Sequence, residues 1–236
     1  MNFSFAKFSL GGPKGGNDDD LLEPFSKGET TWVAVADGVG SSKNGGLAAR
    51  TCLKVIREKA TEEADMDLLF QQCSESLRRL SDDEGNLGKL STTLTVLALR
   101  DGQATVGHTG DSRVTHFRGG GVMGRTKDQT EVQRLLDEGA LSPRQAQRYP
   151  RRNVLLSSMS SEGDYELLRS NFVVETGDRI LLSTDGFHSK ILRKEMAGVS
   201  QKAETISDFL NQLKSTLLER GLDDDATVVG LEMLNP

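Results

Sequence analysis

Residues 3–10 alternate apolar and polar side chains (FSFAKFSL), the period-two pattern of a strand with one buried face. A glycine-rich turn over 11–17 follows and ends in Asp18, Asp19 and Asp20. A short apolar strand is predicted over 31–36, stopping at Asp37-Gly38. Over 45–60 the spacing of Leu47, Val55 and Ile56 is helical, with Ala48, Ala49 and Cys52 filling in, and a second helix is predicted over 66–80. The polar, glycine-containing stretch 81–89 reads as a loop. A β-branched run over 91–100 leads into Asp101-Gly102, the strongest short hairpin signal in the chain, and the return strand runs over 104–108. Gly110-Asp111 interrupts, 113–117 continues the meander, and Gly119 to Gly121 make the next turn. Helical segments are predicted at 131–138 and 142–147, where Pro143 suits the first turn after a Ser142 cap. Further strands are expected over 172–174, Arg179–Ser183 and Ala226–Met233, with one long amphipathic helix over 202–218. Hairpin strands interrupted by helices point to an antiparallel α+β fold rather than alternating βαβ units. No linker-like stretch or internal repeat divides the chain, so residues 1–236 are expected to form a single domain.

Composition narrows this picture only modestly. Hydrophobic residues make up 36%, concentrated in short runs, which suffices for a core under a strongly solvated surface. A formal net charge of −6 argues against general binding to nucleic acid or anionic membranes, and Arg148, Arg151 and Arg152 form only a local cluster. Cys52 and Cys73 both fall in helical stretches and read as small buried hydrophobes, not as a disulfide framework or zinc site. No basic-then-apolar leader and no membrane-length segment is apparent, so a cytoplasmic setting is the expectation.

Candidate chemistry lies in the acids at the ends of the apolar runs. Asp37-Gly38 and Asp185-Gly186 each follow a strand pattern (VAVADG, LLSTDG). Such a strand delivers a carboxylate to a rigid end, and the glycine lets the backbone turn so that its carbonyl can add a second hard oxygen ligand. Asp223, Asp224 and Asp225 precede the strand ATVVGL, so at least one of them points toward its start. Gly110-Asp111-Ser112-Arg113 reads equally as a bulge with a local Asp–Arg pair or as a ligand-bearing turn. Lys14 with Asp18 and Asp19 places a cation and two acids on one loop, and a cation beside metals could hold an anionic group such as phosphate. Converging carboxylates raise one another's pKa unless a cation neutralises them, so the set reads as an oxygen-rich site for hard divalent metals. His108, His116 and His188 show no zinc spacing; His116 is expected to face solvent, and His188, three residues past Asp185, could approach the site. No nucleophile elbow, Walker loop or Rossmann glycine pattern is present.

The ordered motifs resemble those of the type-2C, metal-dependent Ser/Thr protein phosphatases in their compact bacterial form. KGGNDD resembles the family's first acidic motif, VADGVGS its Asp-Gly-x-Gly motif, and STTLTVLAL its Gly/Ser-Thr-Thr strand. GHTGDSRV resembles the Gly-Asp-Ser-Arg motif, TKDQT the Thr-x-Asp-His motif, LLSTDGF the Ser-Asp-Gly motif and DDATVV the closing Asp-Asp/Asn-x-Thr motif. Any one is weak, but seven in the family's order are specific. The stretch EVQRLLDEGALSPRQAQRYPRRNVL resembles the helical segment and flap that follow, placing a flap-like segment at about 145–170.

The resemblance implies a four-layer αββα sandwich of two antiparallel β-sheets flanked by helices. It also implies two Mn²⁺ or Mg²⁺ ions, with a third, weaker site in many members. By position, Asp37 bridges both ions, Gly38 offers a carbonyl, Asp185 and Asp224 complete the pair, Asp18 and Asp19 act directly or through water, and Asp111 serves the third ion. Catalysis then falls to Asp37, Asp185 and Asp224, with Lys14 on the substrate phosphate, and no covalent phosphoenzyme is needed. Four positions depart from the family pattern. Lys14 stands where the family has a phosphate-binding arginine, and Val39 where animal members have a histidine. Ser189 stands where the family often has an aspartate, which weakens the third metal site, and Gln129 replaces the histidine of Thr-x-Asp-His. The expected function is a monomeric phosphatase acting on phosphoserine and phosphothreonine in proteins, opposed by a bacterial Ser/Thr kinase. Two alternatives remain: an inactive binding or partner-switch module on the same fold, and a two-metal hydrolase of another phosphoester, of which a nuclease is disfavoured by the acidic surface.

Overall fold

Period-two alternation sorts each apolar run onto two faces, and in the computed structural model each face has its own partner. The structure describes residues 2–39, 44–83 and 88–235. In chain order the elements are β1 (Phe3–Leu10), β2 (Asp19–Lys27), β3 (Thr30–Asp37), α1 (Gly45–Lys59), α2 (Met66–Asp83), β4 (Ser91–Thr92), β5 (Leu94–Arg100), β6 (Gln103–Thr109), β7 (Arg113–Arg118) and β8 (Gly121–Gly124). Then come α3 (Glu131–Asp137), α4 (Pro143–Ala146), β9 (Met159–Ser160), β10 (Leu168–Val173), β11 (Arg179–Ser183), α5 (Asp185–His188), α6 (Arg193–Lys202), α7 (Ile206–Arg220) and β12 (Ala226–Met233). One five-stranded sheet has the order β1-β12-β11-β7-β8, the other β10-β6-β5-β3-β2, and β4 pairs with β9. Neighbouring strands run antiparallel throughout.

Three apolar clusters define four layers. Val33, Val35, Leu97 and Val106 meet Val114, Ile180, Leu182 and Val229 between the sheets. On the outer face of one sheet, Trp32, Ala34 and Val96 pack under Leu53, Ile56, Phe70 and Cys73 of α1 and α2. On the outer face of the other, Leu181 and Val228 pack under Phe209, Leu210 and Leu213 of α7. The central strands are covered on both faces, which is why β3 and β11 read as near-continuous apolar runs. The expected α+β sandwich of two antiparallel sheets flanked by helices is therefore the observed architecture. Asp101 and Gly102 both take positive φ, +49° and +73°, as a two-residue hairpin turn between β5 and β6 requires. Both cysteines are buried, as expected.

Several local expectations are corrected. His116 is buried, not solvent-facing. Its Nδ1 accepts from Arg125 Nη2 at 2.7 Å, its ring stacks on Phe172, and its Nε2 lies 2.8 Å from Asp178, so a polar network takes the place of water. Strand β2 carries no clean alternation because its pairing with β3 shifts between Leu22 and Phe25, where Pro24 sits in an edge strand. The run 91–100 breaks at Thr93 into β4 and β5. The long helix expected over 202–218 is two helices: α6 ends at Lys202, and Thr205 caps α7 by accepting from the Asp208 N–H. Helix α2 extends to Asp83 into the expected loop. The end of the Asp-Gly-x-Gly motif (Gly40, Ser41) and residues 84–87 of that loop lie outside the described residues. Among the described residues no helix is long and apolar enough to cross a membrane.

Candidate active site

The antiparallel order brings the C-terminal end of β3, the start of β2, the β6–β7 turn, the end of β11 and the start of β12 to one edge of the sandwich. A cleft of about 340 Å³ opens there. Lys14, Asp18, Asp37, Gly38, Asp111, Asp185 and Asp224 all line it, so seven of the eight positions singled out in the sequence face one space. The eighth, Asp19, sits behind it, paired in register with Asp37 across β2 and β3. It is buried, and Thr184 Oγ1 donates to its Oδ2 at 2.7 Å.

Backbone and hydroxyl contacts explain why these acids hold their places. The Asp37 N–H donates to Thr93 Oγ1 at 3.1 Å, while the Thr93 N–H and the Thr92 hydroxyl donate to the Asp37 carbonyl at 2.8 and 2.9 Å. Thr93 Oγ1 also bonds Ser112 at 2.9 Å, so the Ser-Thr-Thr run ties the Asp37 strand to the Asp111 turn. Thr184 links Asp19 to the other sheet, its hydroxyl accepting from the Thr227 N–H at 2.9 Å. Two glycines are dictated by close approach. A Cβ on Gly38 would fall 2.2 Å from the Gly45 carbonyl carbon, and one on Gly186 would fall 2.0 Å from the Asp225 carbonyl oxygen.

Electrostatics mark the cluster as frustrated. Burial, together with Asp19, Asp185, Asp111 and Asp224, holds the Asp37 carboxyl well above the usual carboxylate range. Burial also pushes Asp19 up to about 7, against the pull of its threonine bonds, and raises Asp111 and Asp185. Among the described residues the one ammonium lining the cleft is Lys14, which is exposed and lies 3.3 Å from Asp224 Oδ1. Oxygen donors in such density fit a hard divalent cation. The buried Asp19 Oδ1, which has no hydrogen-bond partner in the structure, fits one too. Among the described residues no three acid, imidazole or thiol groups close on one point as a finished cage. The fit is one of donor chemistry and placement.

His188 Nε2 lies 3.0 Å from the Asp111 carbonyl, and burial with the Arg113 charge lowers its pKa to about 3, so the ring is neutral and secures the Asp111 turn. Arg113 pairs with Asp128 in a two-pronged bridge of 2.8 and 2.6 Å, resolving the Asp–Arg reading of that turn in favour of a different aspartate. Sequence reasoning missed Thr93, Thr184 and Asn153, and left Asp225 as one of three candidates. Asp225 lines the cleft and accepts from the Gly12 and Asp18 N–H groups, both at 2.7 Å, fixing the Lys14 loop. The signal for it was the three-acid run, which left open which acid turned inward. Asn153 and Leu155 reach the cleft from the segment that follows α4, and nothing in the local sequence marks them out.

Comparison with known proteins agrees with this geometry. The family model described as protein phosphatase 2C matches residues 14–225. The chain is 27% identical over 218 residues to the protein phosphatase PhpP of Streptococcus pneumoniae, covering 85% of this chain and 88% of that protein. The solved Mycobacterium tuberculosis serine/threonine phosphatase PstP/Ppp superposes with a TM-score of 0.86 at 22% identity, covering 99% of each chain. A solved PstP catalytic domain in complex with two manganese ions superposes with a TM-score of 0.83 at 21% identity, again over 99% of each chain. At those identities the two structures speak to the fold.

Proposed function

The chain belongs to the protein phosphatase 2C family and is a phosphoprotein phosphatase, and from that premise we propose that it hydrolyses phosphoserine and phosphothreonine in proteins with two divalent cations, Mn²⁺ or Mg²⁺, held in the acidic cleft. The observation that carries this reading is the convergence of Asp37, Asp185 and Asp224 on one cleft with carboxyl pKa values raised at Asp37 and Asp185. The manganese pair of the PstP domain supports the same reading.

In this proposal Asp37, Asp185 and Asp224 would hold the ions, and the Gly38 carbonyl would add an oxygen. Asp18 on the cleft wall and Asp19 behind it would act directly or through water, and Asp111 would serve a third, weaker site that Ser189 leaves short of an acid. Divalent ions bound there supply an acidified water and neutralise charge on the phosphoryl oxygens. Lys14 at the rim attracts and orients the phosphate dianion. Thr93 and Thr184 keep Asp37 and Asp19 fixed, so the donors need little rearrangement. Val39 lines the cleft without a transferable proton, which leaves solvent to protonate the leaving serine or threonine oxygen. The natural opponent is a Ser/Thr kinase, and the working form is a monomer of one domain, 1–236, with its flap at about 145–170.

Hydrolysis of a phosphothreonine peptide with added Mn²⁺ tests this. Asp37→Asn and Asp185→Asn should each lower kcat by about a hundredfold or more, the scale of losing a group that stabilises charge in the transition state. Full activity in EDTA, or in either variant, overturns the proposal. Tight phosphopeptide binding without turnover in the wild type would instead make the protein a binding module.

A further inference from the structure

A groove of about 470 Å³ runs alongside the carboxylate cleft and shares Asp111, Asn153 and Asp185 with it. Its floor is apolar, made by Val132, Leu136, Pro143 and Ala146 of the segment that follows Thr130. Most of its charges are already matched. Arg113 grips Asp128, and Lys190 pairs with Asp223. Asp111 and Asp185 belong to the carboxylate cluster. Arg152 is the exception: among the described residues its guanidinium makes one hydrogen bond, Nη1 to the Gln147 carbonyl at 3.3 Å, and no ion pair.

Arg152 is not isolated. From Ser142 the chain winds through α4 and a run of tight turns, Arg148 N–H to Gln145 O, Tyr149 N–H to Ala146 O and Arg152 N–H to Tyr149 O. Arg144, Arg148 and Arg152 recur at every fourth residue along it, all exposed. None of the three forms a salt bridge among the described residues, whereas Arg151 in the same stretch is tied to Glu131 at 2.7 Å. A chain of net charge −6 thus sets Arg152 on the wall of the groove beside its acidic cleft, with Arg144 and Arg148 in the same stretch of chain.

We propose that this groove takes the substrate polypeptide next to the phosphorylated residue, and that Arg152, supported by Arg148 and Arg144, selects phosphoproteins whose flanking residues are anionic, either Asp/Glu or a second phosphate. The inference rests on the phosphatase reading above. Continuity supports the route, because the cleft and the groove share Asp111, Asn153 and Asp185, so a residue whose phosphate lies in the cleft can run its neighbours past Asn153 into the groove. Charge complementarity fixes the chemistry, since arginine's fork suits carboxylate and phosphate alike. The apolar floor holds backbone and aliphatic stems while the arginines meet the charged ends.

The test compares kcat/KM for phosphothreonine peptides with alanine, glutamate, lysine or a second phosphoserine in the flanks, with Mn²⁺ at low and high salt. Phosphate released from the threonine is scored. The wild type should favour the glutamate and doubly phosphorylated peptides over the alanine peptide by about three- to tenfold, the yield of two or three exposed pairs. That preference should shrink at high salt. Arg152→Glu, and separately Arg148→Glu, should reduce the preference, and together they should turn it toward lysine. A gain with the second phosphate but not with glutamate supports the subsite and narrows its ligand to phosphate. Equal kcat/KM across the peptides in the wild type, or a preference unmoved by the reversals, overturns this inference and leaves the phosphatase reading standing. No turnover of any peptide overturns both.

Discussion

Gln129→Leu isolates what one buried amide contributes to the joint between flap and active-site turn. Gln129 is 7% exposed. Its Oε1 accepts the Gly110 N–H at 2.7 Å, and its Nε2 donates to the Glu166 carbonyl at 3.0 Å and the Glu166 carboxylate at 3.2 Å. Its own backbone bonds the Gly110 carbonyl and the Leu156 N–H, both at 2.8 Å. The side chain therefore stitches the turn that carries Asp111 to the strap returning from the flap. Leucine keeps the volume and removes both polar atoms. The buried Gly110 N–H then loses its acceptor at a cost of about 1–3 kcal/mol, and the bond to Glu166 is worth about 1 kcal/mol more. Glu166 loses less than Gly110, because Ser157 Oγ lies 3.5 Å from the same carbonyl. Added apolar burial returns about 1 kcal/mol. The net expectation is about 1–3 kcal/mol, which for a chain of this length lowers Tm by about 2–12 °C. Gln129→His should recover most of the loss, since imidazole presents one acceptor and one donor nitrogen to the same two partners. Calorimetric or urea unfolding of the three proteins decides it. A leucine variant within 0.5 kcal/mol of wild type, or a histidine variant no better than leucine, would refute the reasoning.

Other expectations follow from the same contacts. His108 is buried between Thr95 and the Lys127 carbonyl, and burial lowers its pKa to about 4; a histidine whose folded pKa lies below its unfolded value of about 6.5 stabilises fully above that value and loses the contribution as pH falls toward 4. Unfolding at pH 7 and pH 4.5 should thus show up to about 2–3 kcal/mol of acid loss that His108→Gln reduces, and an unchanged pH slope in the variant would count against it. Arg113→Ala strands Asp128 beside the carboxylate cluster and should cost about 2–4 kcal/mol, whereas the Arg113→Ala/Asp128→Ala double variant should cost less than the single one; equal losses would mean the pair is uncoupled. Lys14→Arg supplies the fork that the ammonium lacks and should lower KM for phosphopeptides by about two- to fivefold with kcat little changed, while Lys14→Ala should raise it; steady-state kinetics with Mn²⁺ would read both.

Strand identity was legible wherever a run was both apolar and two-sided, because such a run has one stable destination, the middle of a sandwich. That is why β3, β11 and β12 could be placed within a residue from the pattern alone. Edge strands obey no such demand. Strand β2 tolerates Pro24 and a register shift, and β8 is four residues between glycines, so neither announces itself. His116 failed for a related reason. A polar residue in a strand defaults to the solvent face unless buried partners await it, and Arg125, Asp178 and Phe172 come from other strands and turns that local pattern cannot see.

The acids divide along the same line. Asp37, Asp185 and Asp224 were readable because a charge placed at the end of an apolar strand is costly to bury and so demands a partner, and three such demands at one sheet edge point to a shared cation. Asp19 and Asp225 were ambiguous because each sits in a run of acids, where only tertiary hydrogen bonds choose the inward member. The Gly12 and Asp18 N–H groups select Asp225, and Thr184 selects Asp19. The cluster's raised carboxyl pKa values have one physical consequence the sequence could not size. The metal-free fold bears the repulsion as lost stability near neutral pH, since for Asp19 the stabilisation present at pH 4 is lost as pH rises toward about 7. Bound cations would reverse that slope, so metal binding and folding stability should be linked in this chain, with each ion adding most where the bare carboxylates cost most.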